Sequence, residues 1–473
     1  IIFCVISNDF INLLTSCTVV PLPLAIRNLL LPFNNLVFLF SCSVQAKTII
    51  VSNNAKLENQ FVFTKSKYII SDSINLNGQI IDIPVNSSLI FKGKGCLLNG
   101  TIAGNLTTII AQRKCIFQNI KIQGSWCHKF VYGDWVGLKE KNVDNLQEFR
   151  ALTALCKGPK LTHLYIGSGT FATSAVDGSA PIVLPSNTYW HNDATIQLLP
   201  CNFSKYSLVL VSKVNNVKID GGIFLGDIEG HKSDIGEWGH GIKLGGATNV
   251  TLKNITCLKF WGDGIDIIEG IDDSGEATIN CDRIVIDHVK CLYNRRQGLS
   301  LEAGSNIKIR KSEFAYTGSI SYTAPGSGLV IEPWCNNRDK IWSVVIDKCN
   351  IHDNKGSDIV CLPNWLKKDN YYKLVNNIVV SNSVVGRMRI FNTNRITIQK
   401  TNISFLNVHH TKDIIVEKSH VGKFQNDGVV NGLKFSNCSG DTKSKSFSML
   451  LSIYGAVSTI VTFGFYRYYS HIA

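Results

Sequence analysis

A short pattern of alternating apolar and polar residues recurs along the second half of the chain and constrains the fold more than any other feature. Each copy starts with Asn or another polar residue, continues with alternating β-branched residues and ends in a polar turn. The copies start at Asn216, Asn249, Arg283, Asn306, Ser343, Asn377, Arg395 and Asp413. Counted between these positions, the spacings are 33, 34, 23, 37, 34, 18 and 18 residues. Such a repeat predicts a β-solenoid, because each coil buries its apolar side only by stacking on its neighbours.

The N-terminal half of the chain has a different pattern. Residues 47–130 consist of short strand-like runs between Gly and Asn turns, which predicts an N-terminal β-rich cap or early coils. Residues 142–157 have leucines and a phenylalanine at helical spacing and predict one amphipathic helix that caps the solenoid. The solenoid itself is expected over residues 131–440.

Both ends of the chain are apolar and lie outside the repeat. Segment 1–46 is interpreted as a signal peptide or a mis-assigned N-terminal extension, because Leu29–Phe40 is apolar and Val44-Gln45-Ala46 has the pattern of a cleavage site. Cys42 lies in a sequence similar to a lipobox, so it is a candidate for a lipid anchor. We therefore expect a secreted, periplasmic or outer-surface protein. The tail 441–473 contains an uncharged apolar run and is interpreted as a frame error, a membrane segment or a hydrophobic cap.

Charge and cysteine content narrow the class of partner. The formal net charge is +13, which favours an anionic partner: an acidic polysaccharide, a nucleic acid or a membrane surface. No dense run of Lys and Arg occurs, so no nucleic-acid partner is expected. The chain has 15 cysteines, but Cys257 and Cys291 occupy corresponding places in two repeats, as apolar core residues do. No cysteine pair has a zinc-binding spacing, and no metal site is expected from these residues.

Five coils can be aligned on a Gly-apolar-x-apolar pattern, which gathers polar residues into columns. The aligned segments are GHGIKLG (239–245), GDGIDII (262–268), RQGLSLE (296–302), GSGLVIE (326–332) and KGSDIVCL (355–362). Successive side chains of a strand point to opposite faces, so the residues between the apolar ones are expected to face solvent. The resulting polar face contains His240, Lys243, Asp263, Asp266, Arg295, Arg296, Glu302 and Glu332.

Carboxylates on neighbouring coils suit the cleavage of a glycosidic bond. Hydrolysis needs one carboxylic acid to protonate the leaving oxygen and a second carboxylate to activate water or attack the sugar. The candidates are Asp263, Asp266, Glu302 and Glu332. Glu302 and Glu332 are aligned like charges, which need a proton or a cation between them. Structural roles remain open, since the two aspartates can also form ordinary salt bridges or shape a turn.

The basic residues of the same face allow a second chemistry. A lyase or epimerase of uronic acids needs a base, for which Arg296 and Lys243 are candidates, together with a cation such as Ca²⁺ on the substrate carboxylate. A hydrolase would need no cofactor. Substrate contacts are expected from His240, Lys243, Arg295, Gln297, Trp238, Trp261 and Trp334, the tryptophans by stacking on sugar rings.

Several segments resemble the β-helix proteins of the pectate-lyase superfamily. YGDWVG (132–137), LYIGSGTF (164–171) and IVLPSNTYWHNDATIQLLP (182–200) resemble the first part of these proteins. GHGIKL (239–244) and GDGIDI (262–267) resemble the polygalacturonase branch and tailspike-like glycanases. The resemblance implies an all-β, single-stranded right-handed parallel β-helix. It also implies a secreted polysaccharide-degrading enzyme, a glycoside hydrolase acting on an acidic glycan.

One departure from the polygalacturonases leaves the reaction open. Those enzymes carry two adjacent aspartates on the next coil, where this chain has Arg296-Gln297, so their acid pair cannot be carried over. Three hypotheses remain: a hydrolase that uses the carboxylates, a lyase or epimerase that uses Arg or Lys with calcium, and a non-catalytic glycan-binding adhesin or tailspike-like module.

Overall fold

The computed structural model describes residues 46–53, 56–271, 277–333, 341–362, 375–428 and 430–442. The chain divides into two compact units, one of residues 1–137 with 154–162 and one of residues 138–153 with 163–473. The N-terminal segment with Cys42, the residue Trp334 and the apolar run of the tail lie outside the described residues. Within the described ranges, no helix is both long and apolar enough to cross a membrane.

The first unit is built from parallel strands around one long strand, Cys96–Ile110. This strand pairs in parallel with four others, Ser73–Asn75, Ile80–Asp82, Ser88–Phe91 and Phe117–Trp126. The remaining elements are the strands Thr48–Ile50, Lys67–Ile70 and Phe130–Tyr132 and the short 3₁₀ helices Leu57–Asn59 and Gly133–Val136. Alternate residues of the strands are buried, as the run of strand-like segments over 47–130 predicts.

The second unit contains three parallel sheets, which the coils up to residue 362 cross in turn, and a two-stranded antiparallel sheet of Gly270–Ile271 and Ala277–Ile279. Sheet 1 contains Thr162–Ile166, Thr188–Asn192, Asn215–Asp220, Thr248–Lys253, Asp282–Asp287, Gly304–Arg310, Ile341–Asp347, Val375–Ser381, Asn394–Gln399, Thr411–Glu417, Val430–Asn431 and Lys434–Ser436. Sheet 2 contains Lys141–Asp144, Thr170–Thr173, Thr195–Leu198, Ile223–Leu225, Thr256–Leu258, Lys290–Leu292, Glu313–Ala315 and Asn350–His352. Sheet 3 contains Ile182–Val183, Lys205–Ser212, Trp238–Gly245, Asp263–Ile268, Gln297–Leu301, Ser327–Ile331 and Ile359–Cys361. The predicted right-handed parallel β-helix is confirmed.

The last coils are shorter because sheets 2 and 3 merge. Val384–Phe391 pairs with Asn350–His352 through its first residues and with Ile359–Cys361 through its later ones. Asn402–His409 and His420–Asn426 continue this merged sheet, and Ser439–Gly440 pairs with the last of them. The turn that separates the two sheets in earlier coils is lost, which explains why the sequence repeat drops from 34 to 18 residues.

Each sequence repeat starts at a residue in the left-handed backbone conformation. All eight predicted starting residues, from Asn216 to Asp413, have φ between 53° and 63°. Asn tolerates this conformation better than other residues with a Cβ, because its short polar side chain can hydrogen-bond locally. The Asn249 amide donates a 2.6 Å hydrogen bond to Asn215 Oδ1 of the preceding coil. The polar residue that opens each repeat is therefore part of the corner between two sheets.

The core of the second unit confirms the alignment of coils. Ile265, Leu299, Leu329 and Ile359 are in register on successive strands of sheet 3 and are completely buried. Cys257 and Cys291 are in register on sheet 2 and are buried. Seven of the eleven described cysteines are buried free thiols, which confirms the prediction that most of them fill the core. The glycines before the apolar pairs allow close contact between coils: a Cβ on Gly264 would lie 2.7 Å from the carbonyl oxygen of Gly298.

One α-helix occurs among the described residues, Leu146–Leu155, shorter than the predicted 142–157. The preceding residues are extended, because Lys141–Asp144 pairs with Phe171 and Ala172 of sheet 2. Asp144 Oδ1 accepts the backbone N–H of Leu146 at 3.0 Å and so satisfies one of the free donors at the start of the helix. The apolar face of the helix is buried.

Candidate functional site

Sheet 3 places the polar residues in the columns that the sequence alignment predicts. Lys243, Asp266 and Ser300 are in register on three successive strands, followed by Val330 and Val360. Asp263 is in register with Gln297 and then with Ser327. Parallel strands of neighbouring coils are about 4.8 Å apart, so side chains of one column lie in contact.

The expectation that this face is open to solvent is wrong for most of its residues. Asp263, Asp266 and Gln297 are at most 1% exposed, and His240 and Arg296 are at most 7% exposed. The long charged side chains lie across one another and cover the strand surface. Lys243 and Glu332 keep side-chain exposures of 23% and 25%, so they mark the part of the cluster that a ligand can reach.

Arg296 connects carboxylates of three coils. Its Nη1 lies 2.9 Å from Asp263 Oδ2 and its Nη2 lies 3.4 Å from Glu332 Oε1. Its Nε is 3.9 Å from Oε2 of Glu237. Burial by itself lowers the pKa of Arg296. The neighbouring carboxylates, of which Asp263 has the largest effect, raise the pKa of the guanidinium well above its usual value. Glu237 was not predicted as a site residue, because it lies in the connection before the strand rather than in the aligned columns.

Lys243 and His240 surround Asp266. Lys243 Nζ is 2.9 Å from Asp266 Oδ2, and His240 Nε2 is 3.7 Å from the same oxygen. Burial raises the pKa of Asp266, but its positively charged neighbours, with Lys243 the strongest, outweigh this effect and lower the pKa overall. Burial lowers the pKa of His240 to about 3, so its ring is neutral at physiological pH. His240 Nδ1 therefore accepts the backbone N–H of Asp263, at 3.2 Å.

Glu302 and Glu332 share one neighbouring hydroxyl. Ser300 Oγ lies 3.4 Å from Oε1 of both residues and can donate to either of them. Gln297 Nε2 donates a 2.8 Å hydrogen bond to Glu332 Oε1. Burial, with the charges of Asp266 and Glu332, raises the pKa of Glu302 well above its usual value. Glu302 thus holds a proton under conditions in which Asp266 is ionised, which is the arrangement expected of an acid and its charged neighbour.

The buried aspartates also have free acceptor capacity. Among the described residues, neither Asp263 Oδ1 nor Asp266 Oδ1 has a hydrogen-bond partner, although both atoms are buried. Burial raises the pKa of Asp263, but the Arg296 guanidinium, 2.9 Å from its Oδ2, opposes this shift and favours the ionised form. Calcium prefers six to eight oxygen ligands, and here Arg296 and Lys243 already contact these carboxylates. The cluster is therefore better suited to internal ion pairs and proton transfer than to a bound calcium ion.

The tryptophans give less support to sugar stacking than the sequence suggests. Trp261 is 5% exposed, with the Arg295 guanidinium 3.8 Å from its ring centre and the His231 ring stacked at 4.1 Å. Both neighbours lie against the ring, so little of its surface is left for a sugar. Arg295, predicted to bind substrate, is buried and donates to the carbonyl oxygen of Gly236 at 2.9 Å. Trp238 is half-buried at the start of its strand.

A second cluster lies away from these carboxylates. Cys201, Asp227 and His231 bring a thiol, a carboxylate and an imidazole within 4.8 Å of one another. The sequence showed no metal-binding spacing, because 26 residues separate the cysteine from the aspartate. The winding of the β-helix brings the three residues together at one corner.

The sheet topology settles the fold class indicated by the sequence motifs. The chain folds as a right-handed parallel β-helix. No known protein-family model matches the chain. This β-helix is 25% identical over 196 residues to the uncharacterized protein YclG of Bacillus subtilis, a match that covers 38% of this chain and 33% of that protein.

Solved structures with lower identity are also similar to this β-helix. An exopolygalacturonase of Thermotoga maritima is 11% identical, with a TM-score of 0.44 and coverage of 65% of this chain and 92% of that chain. The tailspike protein gp49 of the Acinetobacter baumannii bacteriophage Fri1, a capsular polysaccharide depolymerase, is 12% identical, with a TM-score of 0.43. It is matched over 66% of this chain and 63% of its own length.

Proposed function

We propose that this β-helix hydrolyses glycosidic bonds in an acidic polysaccharide, with Glu302 as the general acid and Glu332 as its carboxylate partner. The observation that carries the proposal is the position of both side chains beside Ser300, at the part of the cluster that retains exposure. The raised pKa of Glu302 supports its role as the proton donor. This assignment replaces Asp263 and Asp266 as reacting groups, because both are buried in ion pairs.

The separation of the two glutamates bears on the stereochemistry. Because each Oε1 is 3.4 Å from Ser300 Oγ, the two oxygens cannot be farther apart than twice that distance. Inverting glycosidases need roughly 6.5–9.5 Å to place a water between the two carboxyl groups, and retaining enzymes need about 5–5.5 Å. The upper limit of about 6.8 Å admits the retaining separation and excludes most of the inverting range, so the reaction we propose is a retaining one, in which Glu332 attacks the anomeric carbon while Glu302 protonates the leaving oxygen. Water then releases the sugar with Glu302 acting as base.

The remaining charged residues would hold the reacting pair in place. Arg296 and Gln297 both contact Glu332 Oε1 and orient that carboxylate toward the sugar. Lys243 keeps Asp266 charged, and the negative field of Asp266 helps to keep Glu302 protonated. The partly exposed ammonium of Lys243 can also contact a uronate group of the substrate.

The lyase or epimerase alternative has less support from this geometry. A base must lose its proton readily near the working pH. The carboxylates around Arg296 and Lys243 instead raise the pKa of both groups, although burial opposes the shift. Both residues therefore remain protonated and serve better as ligands of a carboxylate than as bases.

The burial of the aspartates favours a second candidate, a β-helix that binds a glycan without cleaving it. In that case the ion pairs around Arg296 serve only to stabilise the coils.

Incubation with a panel of acidic and neutral polysaccharides distinguishes the candidates. Reducing ends without unsaturated products indicate a hydrolase, unsaturated uronides indicate a lyase, and binding without products indicates a binding module.

Glu302→Gln is the decisive variant once a substrate is found. We expect its rate to fall by a factor of about 10² to 10⁴, the usual contribution of a general acid, with little change in the binding of substrate. The wild-type rate should also fall as the pH rises through the raised pKa of Glu302, because the acid form is lost. Glu332→Gln should be similarly inactive, whereas Glu417→Gln, on sheet 1, should keep full activity. Full activity in both Glu302→Gln and Glu332→Gln would show that the reaction takes place elsewhere.

A further inference from the structure

Two loops at one corner of the β-helix bring together three side chains of types that can bind transition metals. Residues 199–204 and 226–237 each connect a strand of sheet 2 to the next strand of sheet 3, on successive coils. The strands that precede the loops are paired in register, so the loops start side by side. The first loop contributes Cys201, and the second contributes Asp227 and His231.

The distances between the three ligand atoms fit one metal ion. Cys201 Sγ lies 3.4 Å from Asp227 Oδ2 and 3.9 Å from His231 Nδ1. His231 Nδ1 lies 2.9 Å from Asp227 Oδ2. Zinc bonds of about 2.0–2.3 Å at tetrahedral angles put pairs of ligand atoms roughly 3.4–3.6 Å apart. Movements of about half an ångström would therefore bring all three atoms onto one ion.

The surroundings hold the ligand atoms in these positions. Tyr206 donates a 2.6 Å hydrogen bond to Asp227 Oδ1, the oxygen that does not face the cysteine. The His231 side chain is fully buried and stacked on the ring of Trp261. Within the described residues Nε2 of His231 has no hydrogen-bond partner, so the polar contacts of the ring are made through Nδ1. The hydrogen bond from Tyr206 to Asp227 is an outer contact of the kind that orients metal ligands.

We propose that Cys201, Asp227 and His231 bind one Zn²⁺ ion, with water as the fourth ligand. A set of one thiolate, one imidazole and one carboxylate suits zinc better than magnesium or calcium, which prefer oxygen ligands. The ion would replace the proton of the Cys201 thiol and cross-link the loops of two coils. It would also order the connection that carries Glu237 toward Arg296 and Gly236 toward Arg295. The site is separate from the glutamate pair, so it does not depend on the proposed hydrolysis.

Metal titration of the whole, reduced protein tests the proposal. After chelator treatment and desalting, we expect one Zn²⁺ or Co²⁺ per chain, with a thiolate-to-Co²⁺ charge-transfer band. Cys201→Ser should remove the band and weaken Zn²⁺ binding at least about tenfold, the loss seen even for outer-shell changes. Asp227→Asn should weaken binding as well. Cys438→Ser, which changes a partly exposed thiol on another coil, should bind like the wild type.

A measurement on the unmutated chain avoids any effect of the substitutions on folding. Zn²⁺ should protect Cys201 from alkylation by a maleimide, as read by mass spectrometry of its peptide, and leave the reactivity of Cys438 unchanged. Zinc should also raise the unfolding temperature of the wild type but not of Cys201→Ser. Equal Zn²⁺ affinity in wild type and Cys201→Ser, or no protection of Cys201, would overturn the proposal.

Discussion

Asp263 shows how burial changes the expected effect of a single substitution. Its carboxylate is 0% exposed and lies 2.9 Å from Arg296 Nη1. Had this side chain faced solvent, as the strand alternation predicts, an amide in its place would hardly affect stability. In the structure, the amide leaves part of the Arg296 charge unpaired in the interior, and removal of one partner of a buried ion pair is strongly destabilising.

We therefore expect Asp263→Asn to lower the free energy of unfolding by roughly 3 kcal/mol. Urea unfolding followed by circular dichroism measures the change. Asp234→Asn, at an exposed position of the neighbouring loop, is the matched control and should unfold like the wild type. An Asp263→Asn variant as stable as the control would mean that the ion pair with Arg296 contributes nothing to the fold.

At the scale of the strands, stability depends on the apolar column inside each sheet. Leu299 is completely buried between Ile265 and Leu329 on the neighbouring strands of sheet 3. A carboxylate at this position has no partner in the column, and its burial costs far more than the loss of the leucine contacts alone. Each coil is stabilised by its two neighbours, so the damage is expected to spread to the adjacent coils.

Leu299→Asp should therefore lower the free energy of unfolding by about 4 kcal/mol or more. Losses of this size are typical of buried unpaired charges. Hydrogen exchange should show lost protection in the coils on both sides of the substitution. Lys308→Asp, at an exposed position on sheet 1 of the same coil, should leave protection unchanged. A soluble, cooperatively folding Leu299→Asp protein with normal protection would contradict the alignment of the coils.

For the whole molecule, net charge bears on the choice of polysaccharide. The chain carries 48 Lys and Arg residues against 35 Asp and Glu residues, and the partly exposed Lys243 lies at the open part of the cluster. An acidic glycan would be attracted over distances set by salt, since the screening length falls from about 10 Å at 0.1 M to about 3 Å at 1 M ionic strength. Affinity for an acidic glycan should thus fall as salt is added, as titration calorimetry at several salt concentrations can measure. A neutral glycan of the same length serves as the control, and equal salt dependence for both would argue against an anionic substrate.

The sequence by itself determined the coil architecture of the second unit, because its signals are local. A polar residue that adopts φ near 55°, followed by alternating apolar residues, marks each corner and each strand, as at Asn249 and Asn306. The glycines of the GHG and GDG segments likewise mark the close contact between coils. Residues in register can be read from such repeats without knowledge of any side-chain position, which is why Lys243, Asp266 and Ser300 were aligned correctly.

Only the tertiary structure decided which of these residues are buried and which distant residues join them. Glu237 approaches Arg296 from a loop of irregular length, and its position depends on how that loop folds over the strand. Cys201 meets Asp227 because the loops of two coils lie side by side, although 26 residues separate them along the chain. Strand periodicity specifies the face on which a side chain starts, but long charged side chains and irregular loops take positions set by their neighbours in space. For that reason the polar face predicted as open is, in the folded chain, a largely buried network of ion pairs.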